Sequence, residues 1–492
     1  MSFTGGFAKS CGGEGIFKPF QGRAIVQKDI MSVYKACDIR GPVAELSPER
    51  YRRWGHVLGT ALDEGEHIVV GGDVRRSTPA FKAALIDGLC DMGLRVTDLG
   101  VLPTPMVYFA KRHLRADACA IVTASHNPPD INGLKWMIGD TPVEAWEVEA
   151  LRRDAEGGTA PPARPPGRAG GHNIAAEYAA WLGTVPYFRI ASPAFRVIFD
   201  PGNGCWARRA AAYALRVFPG LQVEAIHDDE DGRFPHRSPD VAKPELLAQL
   251  CEVVVERQAD LGVAFDGDGD RVAFVDGTGR ALTAEEAAWV LALSFWDTFH
   301  DRGFVYDLKF SDRIAEGVRA LGGEPHMERS GHAFIRRRMM DEGAIFGAEI
   351  SGHYFYGDLN GGDDGLFSAL RMIAHLAQAE QSLAALRNTC PVITMTPDLR
   401  LSCDAATQSA ILDQVQSAFA EYPQTTIDGI RVDFPDGWAL VRRSVTEPAL
   451  TFRFEGADSA ALDRIVREFC DRVPAAGDGL AKQFRKKGRG RT

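Results

Sequence analysis

An apolar segment runs directly into three aspartates separated by glycines in Val263-Ala264-Phe265-Asp266-Gly267-Asp268-Gly269-Asp270-Arg271. The apolar part has the length and composition of a buried β-strand, and the polar part is the loop that follows it. Four more short apolar segments also end in polar or Gly-rich loops, at residues 68–70, 120–122, 197–199 and 304–306. Because these strands alternate with helical patterns, the sequence predicts an α/β fold.

The chain is too long for a single hydrophobic core. It has 492 residues, whereas cores stop growing at about 250–300 residues. Residues 157–171 and 388–397 are rich in turn-forming residues and are predicted linkers. The strand-and-loop pattern recurs in three blocks before the second linker, so we predict similar mixed α/β domains at 31–172, 173–281 and 282–390. A smaller domain at 391–492 follows them, and residues 1–30 are predicted to be a flexible extension.

Composition excludes several classes of partner. The formal net charge is −10, which gives no general attraction to nucleic acid or to an anionic membrane. The nine cysteines are scattered and never form a C-x-x-C pair, so neither a disulfide framework nor a zinc site is expected, and a reducing cytoplasm is the predicted location. The most apolar helical stretch, residues 287–296, is about half as long as a membrane span. No motif indicates an oligomeric state.

The three aspartates at 266, 268 and 270 predict a metal site. Carboxylates crowd together in this way mainly to share a cation, and the glycines let the backbone curl so that their oxygens converge. Hard oxygen ligands select magnesium over softer metals. A magnesium ion that is open on one side can accept a phosphate oxygen, so phosphoryl transfer is the chemistry that this loop indicates.

A second loop carries a small serine beside an imidazole. Ser125 and His126 follow the predicted strand at 120–122, and Lys135 comes ten residues after the serine. The loop could handle a phosphate. An ordinary turn explains the same residues, because serine, asparagine and proline are common turn formers.

Two further loops offer groups suited to a sugar phosphate. Glu349 and Ser351 are two residues apart and can point the same way from an extended loop, towards neighbouring hydroxyls. His332 and His353 each follow a Ser-Gly pair, in turns where burial is not expected. Residues 442–448 combine arginines with two hydroxyls, which suits a phosphate dianion, although a basic surface turn is equally compatible.

Taken together and in this order, five motifs resemble those of the α-D-phosphohexomutase superfamily. They are the Asp38-Ile39-Arg40-Gly41 opening, the Ser125 loop, the acidic loop at 266–271, the Glu349 loop and the Arg442 loop. The resemblance runs from about residue 31 to the C-terminus, and the opening resembles the phosphomannomutase/phosphoglucomutase branch. Phosphoglucosamine mutases share the serine and metal loops but have a different motif at the start of the first domain. The resemblance implies four domains around a central cleft, with a smaller α+β domain at the C-terminus.

The resemblance also implies a role for each candidate residue. Ser125 carries the phosphoryl group and, with Asp266, Asp268 and Asp270, holds magnesium. The remaining implied roles are charge compensation by Arg40 and Arg271, proton transfer by His126, Lys135 or His353, cleft lining by Lys309 and His332, hydroxyl binding by Glu349 and Ser351, and phosphate anchoring by Arg442, Ser444 and Thr446.

The implied reaction interconverts hexose 1-phosphate and hexose 6-phosphate, of mannose and/or glucose. A bisphosphorylated hexose is the implied intermediate and activator, and it must reorient inside the cleft. The alternatives are a phosphoglucosamine mutase, a haloacid-dehalogenase-like sugar phosphatase that uses Asp266 as nucleophile, and a non-catalytic sugar-phosphate-binding protein. Three residues depart from the usual family pattern: Cys37 stands at a frequent aromatic, Ala348 replaces glycine, and Val445 replaces glycine or asparagine.

Overall fold

Four β-sheets follow one another along the chain, and each has its own set of helices. The computed structural model describes residues 32–158, 164–190, 194–295, 302–444, 448–487 and 490–491. The extension predicted at residues 1–30 lies outside this part of the chain. The predicted class, three similar mixed α/β domains followed by a smaller α+β domain, is confirmed by the four sheets.

The first domain is built on six strands: β1 (Ile39–Pro42), β2 (His67–Gly72), β3 (Arg95–Val101), β4 (Ala118–Val122), β5 (Ile131–Ile138) and β6 (Arg168–Gly171). Its helices are α1 (Pro48–Thr60), α2 (Thr78–Asp91), α3 (Thr104–His113) and α4 (Ala145–Glu156). The sheet order is β1-β5-β4-β2-β3-β6. Strands β4, β2, β3 and β6 run parallel, whereas β5 is antiparallel to β4.

The second domain has four strands: β7 (Arg196–Asp200), β8 (Gln222–Ala225), β9 (Leu261–Phe265) and β10 (Val272–Asp276). Its helices are α5 (Ala175–Leu182), α6 (Ala210–Val217) and α7 (Ala248–Glu256). The sheet order is β10-β9-β7-β8. It resembles the first sheet, because parallel strands are followed by an antiparallel strand, which is here the edge strand β10.

The third domain has five strands: β11 (Gly303–Asp307), β12 (Glu324–Glu328), β13 (Phe346–Ala348), β14 (Tyr354–Tyr356) and β15 (Gly362–Asp363). Its helices are α8 (Ala284–Leu293), α9 (Asp312–Ala320), α10 (His332–Glu342), α11 (Gly365–Ala379) and α12 (Leu383–Arg387). Strands β12, β11 and β13 are parallel, and β14 and β15 are antiparallel additions.

The fourth domain has seven strands: β16 (Thr394–Met395), β17 (Leu399–Ser402), β18 (Gln424–Thr425), β19 (Ile430–Phe434), β20 (Gly437–Arg443), β21 (Ala449–Gly456) and β22 (Gly490–Arg491). Its helices are α13 (Ala405–Ala418), α14 (Ser459–Arg472) and α15 (Pro474–Lys487). All pairings in this sheet are antiparallel. Within the described residues, no helix has both the length and the apolar character that crossing a membrane requires.

The predicted strands are all present, but both predicted linkers are partly wrong, since the linker at 388–397 contains the two residues of β16. The five apolar segments lie in β2, β4, β7, β9 and β11. However, the linker predicted at 157–171 contains β6, whose four residues are all exposed and pair in parallel with β3. Main-chain hydrogen bonds rather than a buried face place this strand, so it has no apolar pattern that the sequence could reveal.

The first three domains share one large hydrophobic core, whereas the fourth packs largely around its own. The shared core joins side chains such as Val69, Phe199 and Phe304, one from each of the first three sheets. The separate core lies between the fourth sheet and its helices, around Phe419 and Phe452. The loops after β4, β9, β11 and β13 leave the same type of sheet edge, where ligands of α/β sheets usually bind.

Candidate functional site

The serine loop places Ser125 directly against the acidic loop. The Ser125 hydroxyl donates a hydrogen bond of 2.8 Å to Asp266 Oδ2, and it lies 3.3 Å from His126 Nδ1. Ser125 is fully buried and has a left-handed backbone, with φ of 52°. A non-glycine residue in that conformation costs energy and is often found at functional sites. The geometry therefore favours the phosphate-handling loop over an ordinary turn.

The acidic loop brings its three carboxylates together, as the glycine spacing predicted. Asp266, Asp268 and Asp270 are buried, and one ligand oxygen from each lies within 4.8 Å of the others. Asp266 Oδ1 accepts hydrogen bonds from the backbone amides of Gly269 and Arg271, at 2.9 and 3.2 Å. Gly269 has φ of 78°, and a side chain there would collide with a buried tryptophan. Only glycine permits this curl.

Lys135 supplies a cation to this cluster. Its Nζ donates to Asp268 Oδ2 at 2.9 Å and to Asp270 Oδ2 at 2.6 Å. The other oxygen of each of these two aspartates is buried and makes no hydrogen bond. Unpartnered buried carboxylate oxygens are costly, and a set of three carboxylates is the hard oxygen environment that magnesium prefers. The residues present therefore fit a magnesium ion.

The charges in the cluster are strongly coupled. Burial, together with the neighbouring Asp270 and Asp268, raises the pKa of Asp266 well above its usual range. Burial opposes ionisation of Asp270 as well, but Lys135 and His353 outweigh it and hold the pKa of Asp270 well below its usual range. Burial also disfavours the charged Lys135, yet Asp268 and Asp270 raise the pKa of Lys135 well above its usual range. The two aspartates thus favour the ammonium form of Lys135.

His353 is buried, so the expectation that it would be exposed is wrong. It is 1% exposed, and Asp363, on β15, lies beside it. His353 Nδ1 donates to Asp363 Oδ2 at 2.5 Å, and its Nε2 accepts a hydrogen bond of 2.8 Å from Arg271 Nε. That Arg271 nitrogen lies 4.0 Å from Asp266 Oδ2. Both nitrogens of the imidazole are engaged, and the ring holds Arg271 against the acidic loop.

His126 is a neutral imidazole beside the serine hydroxyl. Burial lowers the pKa of His126 well below its usual range, and the nearby Arg271 and Arg40 lower it further. Arg40 is itself paired with Asp38, at 2.7 Å. Of the three proton-transfer candidates, His126 is the one that this geometry favours, because it is uncharged and lies beside Ser125.

The loops predicted for sugar recognition are tied to each other. Glu349 Oε1 accepts a 2.6 Å hydrogen bond from the Ser351 hydroxyl, and Glu349 Oε2 accepts a 3.1 Å bond from the Gly331 amide. Lys309 Nζ lies 3.6 Å from Asp307 Oδ2, at the end of β11. The structure therefore brings the Glu349 loop against the turn that contains His332.

The predicted phosphate anchor lies at the end of β20. Arg442 Nη2 is 2.8 Å from Asp428 Oδ2, and its Nη1 is 3.5 Å from the Ser330 hydroxyl. Arg442 and Ser444 line a cavity of about 520 Å³, together with Tyr34 from the first domain and Ser330 from the third. Three domains thus contribute to one cavity. Thr446 and the departure at Val445 lie outside the described residues.

Arg75 organises the serine loop, and the sequence analysis missed it. The guanidinium of Arg75 is buried and donates to the carbonyl oxygens of Ser125 at 2.8 Å, of Asn127 at 2.5 Å and of Ile131 at 2.9 Å. It also bonds the carbonyl of Pro128. Its own partner is the Asp73 carboxylate, at 2.9 Å. The available signal was an Asp-x-Arg sequence directly after β2.

Arg75→Lys is expected to lower kcat about tenfold to a hundredfold with a smaller change in KM. A lysine ammonium keeps the charge but cannot supply the planar fork of donors that holds four carbonyl groups. Steady-state kinetics of the folded variant measure the effect. The matched control is Arg76→Lys, at the exposed neighbouring position, which should keep wild-type kinetics. A wild-type kcat in Arg75→Lys would contradict this role.

Comparison with known proteins supports a single family along the chain. Models of phosphoglucomutase/phosphomannomutase α/β/α domains I, II and III match residues 31–156, 176–279 and 285–392, and the model of the C-terminal domain matches residues 399–472. The phosphomannomutase/phosphoglucomutase of Pseudomonas aeruginosa is 34% identical over 473 residues, which cover 92% of this chain and 98% of the relative.

Solved structures share the fold. A phosphoglucomutase/phosphomannomutase family protein from Burkholderia thailandensis has a TM-score of 0.81 at 32% identity, over 91% of this chain and 98% of that one. The N-acetylphosphoglucosamine mutase of Aspergillus fumigatus, solved with GlcNAc-6P and magnesium, has a TM-score of 0.58 at 13% identity, over 91% and 95% of the two chains. With all four domain models matched in order, the chain belongs to the phosphoglucomutase/phosphomannomutase family of the α-D-phosphohexomutase superfamily and is a phosphotransferring mutase.

Proposed function

We propose that this mutase interconverts the 1-phosphate and 6-phosphate of mannose and glucose, with Ser125 as the phosphoryl carrier. The observation that carries the proposal is the 2.8 Å hydrogen bond between the Ser125 hydroxyl and Asp266 Oδ2. It joins the loop after β4 to the loop after β9, so a phosphoryl group on Ser125 would lie beside the carboxylate cluster. The Pseudomonas aeruginosa relative, which is named for both sugars, supports the choice of the two hexoses.

The reaction requires two transfers that differ in direction. First, the bond between phosphorus and Ser125 Oγ breaks while the free sugar hydroxyl forms a new bond to phosphorus, and the proton of that hydroxyl is passed to Ser125 Oγ. The product is a bisphosphorylated hexose. This intermediate turns over in the cleft, and its other phosphoryl group is transferred back to Ser125 Oγ, which loses its proton, while the sugar oxygen that carried that group takes up a proton. Arg442, Ser444 and Thr446 are proposed to hold the phosphate that is not reacting in both orientations.

The acidic loop is proposed to hold magnesium through Ser125, Asp266, Asp268 and Asp270. When bound, the ion supplies positive charge to the transferring phosphoryl group. The two unpartnered carboxylate oxygens and the Lys135 ammonium between Asp268 and Asp270 support this site. The magnesium in the Aspergillus fumigatus structure is consistent with it.

The remaining polar groups of the site are each proposed to have a separate role. His126 exchanges the proton, because its neutral imidazole lies 3.3 Å from Ser125 Oγ. Lys135 and Arg40 compensate negative charge. His353 positions Arg271 and does not transfer a proton itself. The hydroxyl-binding groups are proposed to be Lys309, His332, Glu349 and Ser351.

We also propose the domain limits 31–172, 173–281, 282–390 and 391–492, with the reaction taking place in the cytoplasm. Each internal limit falls between elements rather than inside one: β6 ends at Gly171, α8 begins at Ala284 and β16 begins at Thr394. The scattered cysteines support a reducing compartment.

Glu349→Ala is expected to raise KM and lower kcat, each about tenfold, for both hexose phosphates. One carboxylate must serve the sugar in two opposite orientations, and its loss also frees the Ser351 hydroxyl and the Gly331 amide that it now binds. Glu324→Ala, at an exposed position on β12 of the same domain, is the matched control. If Glu349→Ala retained wild-type kinetics, sugar recognition would have to lie in another loop.

A coupled assay tests the proposed function. Mannose 1-phosphate, glucose 1-phosphate and glucosamine 1-phosphate are compared in the presence of bisphosphorylated hexose and magnesium. We expect turnover of the mannose and glucose substrates to exceed that of the glucosamine substrate. Preference for glucosamine 1-phosphate would support the phosphoglucosamine mutase alternative. Net release of inorganic phosphate would support the phosphatase alternative.

A further inference from the structure

A second group of metal-ligating side chains lies outside the acidic loop. Cys37 Sγ is 3.8 Å from His332 Nε2, although the two residues are 295 positions apart in the chain. A carboxylate oxygen of Asp38 lies within 4.8 Å of both ligand atoms. The first domain supplies the cysteine and the aspartate just before β1, and the third domain supplies the histidine at the start of α10. The interface between two domains therefore assembles the group.

The separation of these atoms matches one edge of a tetrahedral zinc site. Zinc lies about 2.3 Å from a thiolate sulfur and about 2.0–2.1 Å from an imidazole nitrogen, which leaves the two ligands about 3.5–3.6 Å apart. The observed distance between Cys37 Sγ and His332 Nε2 is 3.8 Å. The observed separation is thus about 0.2–0.3 Å longer than such an edge.

The donor set differs in chemistry from that of the acidic loop. One sulfur and one imidazole favour zinc-like cations, whereas three carboxylates favour magnesium. Arg40 bonds Oδ2 of Asp38 through both Nε and Nη2, and a carboxylate has a second oxygen with lone pairs to offer. Cys37 and His332 are only half-buried, and the neighbouring residues 34–36 line the 520 Å³ cavity. The group therefore lies next to this cavity.

We propose that Cys37, His332 and Asp38 form a binding site for a zinc-class divalent cation, and that its occupation inhibits the enzyme. On binding, the Cys37 thiol releases its proton to solvent and its sulfur coordinates the cation, with no change of oxidation state. The cation would hold His332, which the proposed function places in the sugar-binding cleft. The inhibitory part of the inference rests on that function, whereas the binding part does not.

Cys37 distinguishes this chain from the usual family pattern, in which the position often carries an aromatic residue. Burial, together with Asp38, raises the pKa of the Cys37 thiol to about 12. The free thiol is thus protonated at neutral pH, and metal binding must displace its proton. Burial and the nearby Lys135 lower the pKa of His332 well below its usual range, so the imidazole is in the neutral form that metals bind.

Cobalt(II) absorption tests the site without measuring activity. Thiolate coordination gives cobalt(II) an intense near-ultraviolet charge-transfer band that carboxylate and imidazole ligands do not. We expect the full-length protein, in excess magnesium, to develop this band at one equivalent of cobalt(II). Cys37→Ser should lose the band, and the matched control Cys251→Ser should keep it. A wild-type protein without the band, or a Cys37→Ser variant that retains it, would overturn the proposed site.

Zinc inhibition tests the consequence of binding. With saturating magnesium, each protein is compared with its own zinc-free mutase rate. We expect the zinc concentration that gives half-inhibition to be at least about tenfold higher for Cys37→Ser than for the wild type or Cys251→Ser. Equal zinc sensitivity of all three proteins would overturn the inhibitory role and assign zinc inhibition to the acidic loop. If the protein lacked mutase activity, the cobalt(II) band would still decide whether the site exists.

Discussion

Ser125→Ala is expected to lower kcat on the order of a thousandfold or more, while sugar phosphates still bind. The variant lacks the oxygen that must carry the phosphoryl group. Alanine retains a Cβ, so the left-handed backbone at this position, with φ of 52°, is strained to a similar degree in both proteins. The Arg442 anchor and the Glu349 contacts are unchanged. The loss is therefore one of chemistry rather than of binding or folding.

Intact-mass analysis and calorimetry distinguish a loss of phosphoryl transfer from a loss of substrate binding. After incubation with bisphosphorylated hexose, the wild type should gain one phosphate and Ser125→Ala none. Calorimetric titration with hexose 6-phosphate should give dissociation constants for the wild type and Ser125→Ala that agree within about threefold, because the anchoring groups remain in both proteins. Ser417→Ala, at an exposed position on α13, is the control that should still be phosphorylated. A phosphate mapped to Asp266 would refute the serine carrier and support the phosphatase alternative.

Asp268→Asn is expected to lower kcat about a hundredfold or more and to weaken magnesium binding. The change is nearly isosteric but removes one of the three negative charges. The new amide would also lie beside the Lys135 ammonium, which now donates to Asp268 Oδ2 at 2.9 Å, and beside the Thr104 hydroxyl, which donates to the same oxygen at 2.7 Å. The amide oxygen can still accept these two hydrogen bonds, but the amide nitrogen replaces the second, unpartnered carboxylate oxygen, so the cluster loses a charge and a potential metal ligand.

Magnesium titration calorimetry and steady-state kinetics at saturating magnesium measure this effect. Asp229→Asn, whose side chain is 79% exposed in the same domain, removes a charge outside the cluster and should match the wild type in both measurements. Addition of excess chelator should abolish the wild-type rate. Full activity in chelator, or unchanged magnesium affinity in Asp268→Asn, would contradict the proposed role of the acidic loop.

The parts of the fold that depend on local chemistry could be predicted from the sequence. Apolar segments followed by polar loops correspond to real strands, because burial requires apolar residues and strand ends require turns. Strand β6 could not be predicted, because its exposed residues pair only through the main chain.

The same distinction applies to the site. The acidic loop can be recognised from the sequence, since its three candidate ligands are close neighbours along the chain. Arg75 does not, because its partners are backbone carbonyls that leave no side-chain pattern. The hydrogen-bond partner of His353 is Asp363, which a later strand brings beside it. The Cys37 and His332 pair could not be found from spacing at all, because two different domains contribute its ligands.

The largely separate core of the C-terminal domain has a consequence for the lifetime of the enzyme. Only a few of its residues, such as Trp438 and Leu440, join the large shared core. Polar contacts, including Arg431 with Asp312 and Arg453 with Glu285, make up much of the remaining connection. Interfaces of this kind open more readily than a continuous apolar core. A sugar phosphate that bridges Arg442 and the serine loop would hold the domain closed by mass action, so a cell starved of substrate would expose this unit to its proteases more often.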